Sequence, residues 1–145
     1  MPVGDRKDPY RVYNFLVELD GITRAGFREC SGLDTSQDPI EYREGSDPLT
    51  ARKLPGLVKY SNISLKWGMT DDVELWDWRK KAMEGTVERK NGSIILLDDA
   101  GTEKLRWNFR DGWPSKWTGP SFNASGNEVA IEALEIAHEG VTKAP

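Results

Sequence analysis

Cysteine and histidine are nearly missing from this chain. Its 145 residues include one cysteine, Cys30, and one histidine, His138. One thiol excludes an internal disulfide framework and a zinc site built on cysteines. One imidazole excludes metal sites that need two histidines. Any Ser–His or Cys–His catalytic pair would have to use His138. Long apolar runs are missing too, since none approaches the roughly 20 residues of a membrane helix. There is no basic excess. Lys and Arg number 20 against 24 Asp and Glu, for a net charge of −4, so the chain as a whole has no basic footprint for nucleic acid. The opening MPVGDRKDPY has no apolar core, so no secretory signal is read and synthesis in the cytoplasm is expected.

What is present fits one soluble domain spanning 1–145, with 37% apolar and 30% charged residues. The chain is organised around Lys53 to Gly85. Pro55-Gly56 signals a turn. Ile63, Leu65 and Trp67 then alternate with polar residues, as in a strand with one apolar face, and Gly68 closes it. A helix is predicted over Asp71 to Glu84. Thr70 is placed to cap it, Asp71, Asp72 and Glu74 suit its first turn, and Gly85 stands just past its end. Glu74, Asp77, Lys81 and Glu84 form one narrow polar stripe, with Asp77 and Lys81 spaced to pair. Val73, Leu75, Trp76, Trp78, Ala82 and Met83 make an apolar arc wider than one sheet face covers. Such a helix either sinks deep into its own sheet or also meets another subunit.

The flanking segments read mostly as short strands. Met1 to Pro9 reads as an arm. Tyr13, Phe15, Val17 and Leu19 share a face, and Asp20-Gly21 signals a hairpin into Ile22 to Cys30. Ser31 to Asp38 reads as a turn-rich connection, Pro39 to Arg43 as a short strand, and Glu44 to Pro55 as a long loop. Asn91-Gly92 suggests a tight turn before an apolar strand at Ser93 to Leu97. Asp98 to Gly101 suggests another turn, before an alternating strand at Thr102 to Arg110. Gly112 to Asn123 looks irregular, with Trp113, Trp117 and Phe122 expected to pack. Asn127 to Glu139 reads as a central strand, although helical spacing is tolerable there, and the last residues read as a polar tail. The tally is about seven strands and one flanking helix, a mainly β protein built as an antiparallel barrel or sandwich.

The residues give little chemistry. Asp71-Asp72 is explained by the helix start and Asp98-Asp99 by a turn. Glu135 and Glu139 would point away from His138 on a strand, so His138 reads as a surface or interface residue. Cys30 reads as a packed small residue. Six Trp residues could make a sugar-binding platform in a monomeric β-sandwich module, although Trp67, Trp76 and Trp107 sit on apolar faces. No catalytic, metal-binding or cofactor-binding residue is assigned.

An ordered set of motifs is more specific. KLPGLVKYSNISLKWG (Lys53 to Gly68), LWDWRKKAMEG (Leu75 to Gly85) and RKNGSIILLDDAG (Arg89 to Gly101) resemble the tail-tube proteins of contractile phages and phage-like extracellular injection systems. RWNFRDGWPSKW (Arg106 to Trp117), NASGNEVAIEALEIAHEG (Asn123 to Gly140), DPYRVYNFLVELDG (Asp8 to Gly21) and FRECSGL (Phe27 to Leu33) continue the resemblance. It implies a structural subunit without catalysis or cofactor. Rings of six would stack into a hollow tube that a contracting sheath drives, behind a spike, through a target envelope. The implied partners are further copies, the sheath, the baseplate or spike adaptor, tape-measure and cap proteins, and cargo or DNA in the lumen. No stable membrane association is implied. On this footing Glu44, Asp47, Pro48, Arg52 and Lys53 are expected in an inter-subunit loop. Arg24, Arg28, Glu29, Glu41 and Arg43 are expected at the lumen, and Glu74, Asp77, Lys81 and Glu84 facing the sheath.

Overall fold

A computed structural model of the chain describes residues 14–20, 22–24, 26–46, 48–69, 73–126 and 129–144, with 22–24 described by backbone alone. The alternating Phe15, Val17 and Leu19 build β1 (Phe15–Leu19), which turns back into β2 (Ile22–Arg24). Then come β3 (Phe27–Ser31), β4 (Thr35–Tyr42), β5 (Arg52–Tyr60) and β6 (Ile63–Gly68). The helix α1 (Glu74–Met83) leads to β7 (Lys90–Leu97), β8 (Glu103–Thr118), β9 (Ile131–Ala137) and β10 (Gly140–Lys143). The described residues are therefore mainly β, with one helix.

All pairings are antiparallel. The main sheet runs β2-β1-β7-β8-β9-β6-β3, and β10 also pairs with β8. The ladder partners Trp113↔Ala137 and Arg110↔Gly140 share one register, so β9 and β10 are one strand interrupted at His138 and Glu139. The long β8 joins two halves of the sheet. Its first part pairs with β7 and its last part with β9. It turns the corner at Asp111, whose φ of 53° lies in the left-handed region that Asp tolerates. The next residue must be small, because a Cβ on Gly112 would stand 2.8 Å from the Phe109 ring and 2.9 Å from Ile136. The halves fold over each other until β1 touches β3. Between them lie Val17, Leu19, Phe27, Ile63, Leu65, Trp67, Ile94, Phe109, Leu134 and Ile136, closed by Leu75 and Trp78 of α1. Burying such side chains contributes roughly 1.5–3 kcal/mol each, the main favourable contribution to this fold.

Several sequence expectations change here. The helix begins at Glu74 after Val73, which makes no side-chain cap, and Thr70, Asp71 and Asp72 lie outside the described residues. The apparent connection over Thr35 to Asp38 and the last residues of the expected loop, Arg52 to Pro55, are strand. Their strand character was hidden by Pro39 and Pro55, which are ladder partners next to a register shift. Asn91-Gly92 is no turn but the start of β7. Gly92 is small because a Cβ would come 2.5 Å from both the Glu18 carbonyl and the Phe109 ring. Gly112 to Trp117 continues β8, with Trp113 and Trp117 half-buried, but Phe122 is 83% exposed. The polar tail contributes β10, because its backbone completes the open edge of β8. The arm at Met1 to Pro9 falls outside the described residues.

Candidate assembly surfaces

Among the described residues four surfaces stand out. The first is the hairpin β4–β5, which forms a two-stranded sheet of its own. Every β4 residue is exposed, and so is every β5 residue except the half-buried Gly56. Its ladder pairs Ile40 with Leu54 and Tyr42 with Arg52 on one face, and Glu41 with Lys53 on the other. Leu57 is 84% exposed, and Ile40, Tyr42, Leu54, Val58 and Tyr60 are exposed as well. An isolated hairpin is marginal in water, and a strip of exposed large apolar side chains on one marks a contact surface. The intended loop residues collect here. Arg52 and Lys53 lie on β5, the Glu44 carboxylate accepts from the Tyr42 hydroxyl, and the Pro48 carbonyl accepts from Arg43 Nε at 2.8 Å. Asp47 is outside the described residues.

The second surface is α1. Leu75 and Trp78 face the core, and the Trp78 indole N–H donates to the Glu88 carbonyl at 2.7 Å. Glu74, Asp77, Lys81 and Glu84 are all exposed, as expected. Lys81 lies 3.4 Å from Glu88, not in the i,i+4 pair with Asp77. Lys90 and then Lys81 hold the Glu88 carboxyl below its ordinary range. The apolar arc is sunk only along Leu75 and Trp78. Trp76 is 40% exposed, and Val73, Met83 and Val87 are exposed as well. Trp76 meets Trp117 edge-on at 5.2 Å, and Trp117 meets Trp67 at 5.3 Å, so an aromatic stack leads from the core to this patch. With Trp67 and Trp78 buried and Trp107, Trp113 and Trp117 half-buried, the six Trp residues form no flat open platform for a sugar.

The third surface is the outer face of β3-β6-β9-β8. Glu29 sits 3.7 Å from Lys66, and Lys116 sits 3.6 Å from Glu135. Ser31, Ser64, Ala133 and Thr118 share that face by register. The four charged side chains balance, Ile131 and Trp113 share the face by the same register, and Leu75 and Trp78 of α1 pack on the opposite, core side. Of the expected lumen residues only Glu29 is part of this outer face. Arg28 is exposed at a register shift beside it, and the side chain of Arg24 is outside the described residues. Glu41 and Arg43 stand on the hairpin, so the structure does not bring the five together. Lys66, Lys116 and Glu135 were missed. The signal was their shared polar parity on three strands, which only the register aligns.

The fourth surface is a pair of open edges. Among the described residues no strand pairs with the outer edge of β2 or of β3, which leaves rows of backbone donors and acceptors for another chain. A cavity of about 300 Å³ between β1, β3, β7 and β8 is lined by Phe15, Cys30, Leu33, Ile94, Leu96 and Trp107 together with the charged Arg28 and Glu29. Burial, helped by the neighbouring Glu29, pushes the Cys30 thiol up to about 12. No group of three His, Cys, Asp or Glu side chains that could hold a metal occurs among the described residues. No helix among them is long and apolar enough to cross a membrane.

Two open edges, an apolar hairpin and a half-covered helix leave surfaces that the described residues do not cover. Comparison with known proteins gives the family. Residues 11–142 match the model of the T4-like virus tail tube protein gp19. The chain belongs to this tail tube family, whose members are structural tube proteins and not enzymes. A chain from the extended PVC sheath–tube complex of an extracellular contractile injection system is 35% identical, with 94% of this chain and 91% of that one aligned at a TM-score of 0.85. A chain from the cap that terminates the anti-feeding prophage (AFP) tube is 31% identical over 98% and 95% of the two chains, at a TM-score of 0.88. Hcp1 from Flavobacterium johnsoniae shares the fold alone, at 17% identity over 90% and 94% of the chains and a TM-score of 0.58. No curated protein sequence matches.

Proposed function

We propose that this protein, as a single domain over 1–145, is the repeating inner-tube subunit of a contractile injection apparatus. Six copies close into a ring and rings stack head to tail, because an in-plane contact that closes and an axial contact that does not give a hollow filament. The β4–β5 hairpin is the observation that carries this reading. It holds apolar side chains away from the core of the described residues, where another copy can cover them. The open edges of β2 and β3 are suited to join neighbours within a ring.

The charge-balanced face with Glu29, Lys66, Lys116 and Glu135 lines the lumen, through which cargo or DNA passes. Arg24 and Arg28 lie on the edge strands that flank the ring joints. The polar stripe Glu74, Asp77, Lys81 and Glu84 faces the sheath. The sheath, the baseplate or spike adaptor, and tape-measure and cap proteins are its other partners. The subunit is made and assembled in the cytoplasm and ends in a phage tail or tail-like particle. It uses no cofactor, and the sheath supplies the work.

Negative-stain microscopy of purified protein tests the reading. Rings and tubes are expected. Ile40→Asp with Leu54→Asp should leave a folded subunit that makes no tubes, and normal tubes from that variant would overturn the role of the hairpin. Replacing 43–51 by a Gly-containing two-residue turn tests the tip loop separately, and normal tubes there would remove the loop from the contact. Only monodisperse monomer from the unmodified chain at high concentration would overturn the whole proposal.

A further inference from the structure

We propose that His138 is the joint that fixes the angle at which the β4–β5 hairpin leaves the body. The two chain segments that enter and leave the hairpin cross at its root. Gly32, between β3 and β4, packs on Asn62, between β5 and β6, so closely that a Cβ on it would stand 1.9 Å from the Asn62 carbonyl oxygen. Its φ of 95° is also one that side-chain-bearing residues avoid. Next to this crossing the Ser61 N–H donates to the Asp34 carbonyl at 3.2 Å. The root is therefore closed by backbone on backbone.

His138 ties that root to the body. It occupies the interruption between β9 and β10. The Gly140 N–H donates to its Nδ1 at 3.2 Å, so Nδ1 is an acceptor and the hydrogen sits on Nε2. Nε2 then donates to the Ser61 carbonyl at 2.9 Å. The ring lies between Tyr60, the last residue of β5, at 5.7 Å and Phe109 of the core at 6.1 Å. One imidazole thus bonds the body with one nitrogen and the hairpin root with the other, and packs on both. Among the described residues the hairpin is exposed along its length and tied to the body at this end. The inference rests on reading the hairpin as an assembly element. It adds that the hairpin is set before assembly, and not ordered only against a neighbour.

The test is the distance between spin labels at Lys53→Cys and Lys116→Cys in a Cys30→Ser background, measured on soluble, unassembled protein. The expected distribution is narrow. His138→Phe keeps the ring packing and loses both hydrogen bonds, so the distribution should widen by about twofold while the melting temperature shifts only a few degrees. His138→Gln keeps a donor for Ser61 and should restore much of the narrow distribution. Gly32→Ala forces the crossing apart and should widen it independently. An unchanged width in His138→Phe, or in His138→Leu if His138→Phe fails to fold, would overturn the joint. Tubes from the Ile40→Asp, Leu54→Asp variant would instead refute the assembly role of the hairpin and leave the joint standing.

Discussion

Trp76 and Trp78 are two residues apart on α1, yet they should fail differently. Trp78 is 3% exposed, against 40% for Trp76. Truncating a buried Trp to Ala costs about 3–5 kcal/mol, because the cavity left behind cannot collapse fully. Trp76 lies at the rim, where water fills the space. With roughly 200 Å² of side chain, about 60% of it covered, the transfer contribution at 25 cal/mol/Å² is about 3 kcal/mol as an upper bound. A compact unfolded chain lowers that to about 2 kcal/mol. At about 3 °C per kcal/mol for a domain of this size, Trp78→Ala should melt about 9–15 °C lower and Trp76→Ala about 6 °C lower. Calorimetry or circular dichroism reads this directly. Tube yield should run the other way relative to stability. Trp76→Ala removes the centre of the exposed patch with Val73 and Met83, so it should lose tubes while still folded. Equal melting losses would refute the burial argument. Normal tubes from Trp76→Ala would refute the patch as a contact.

Changing Glu74, Asp77 and Glu84 together to Lys should leave tubes intact but impair an extended sheath around them, since exposed ion pairs are weak singly and act together; normal sheaths by microscopy would remove the stripe from that contact. Cys30 should resist alkylation at pH 8 in the folded protein and react readily in urea, because burial and Glu29 hold its thiol near 12; fast labelling of native protein would contradict this. Asp98 is held below its ordinary value of 3.8 by the Thr102 N–H first, then by the Ala100 N–H and Lys104. A depressed carboxyl contributes stability that is present above its ordinary value and lost as pH falls through the folded one. Acid titration of stability should therefore be flatter below pH 4 in Asp98→Asn, and identical curves would refute the contribution.

The sequence alone determined the local pieces. Strict alternation at Phe15 to Leu19, Ile63 to Trp67 and Leu105 to Phe109 gives strands with the core faces the structure shows, because side-chain direction on a strand depends only on parity. The helix, the turn at Asp98 to Gly101 and the central place of Ile131 to Ala137 were legible for similarly local reasons. The ordered motifs also pointed to the tail tube family. Tertiary structure decided what parity cannot carry. Whether Asn91-Gly92 turns or extends depends on the Phe109 ring that packs over it from β8. Whether Gly112 breaks β8 depends on the space beside Ile136. Trp76 and Trp78 look alike in a helical pattern, and only the position of the sheet decides which is buried. Lys66, Lys116 and Glu135 meet only once three strands are in register. His138, alone in its sequence neighbourhood, gains its role from Ser61, 77 positions away. Such pairings follow from chain folding over long separations, and no short window of sequence contains both partners.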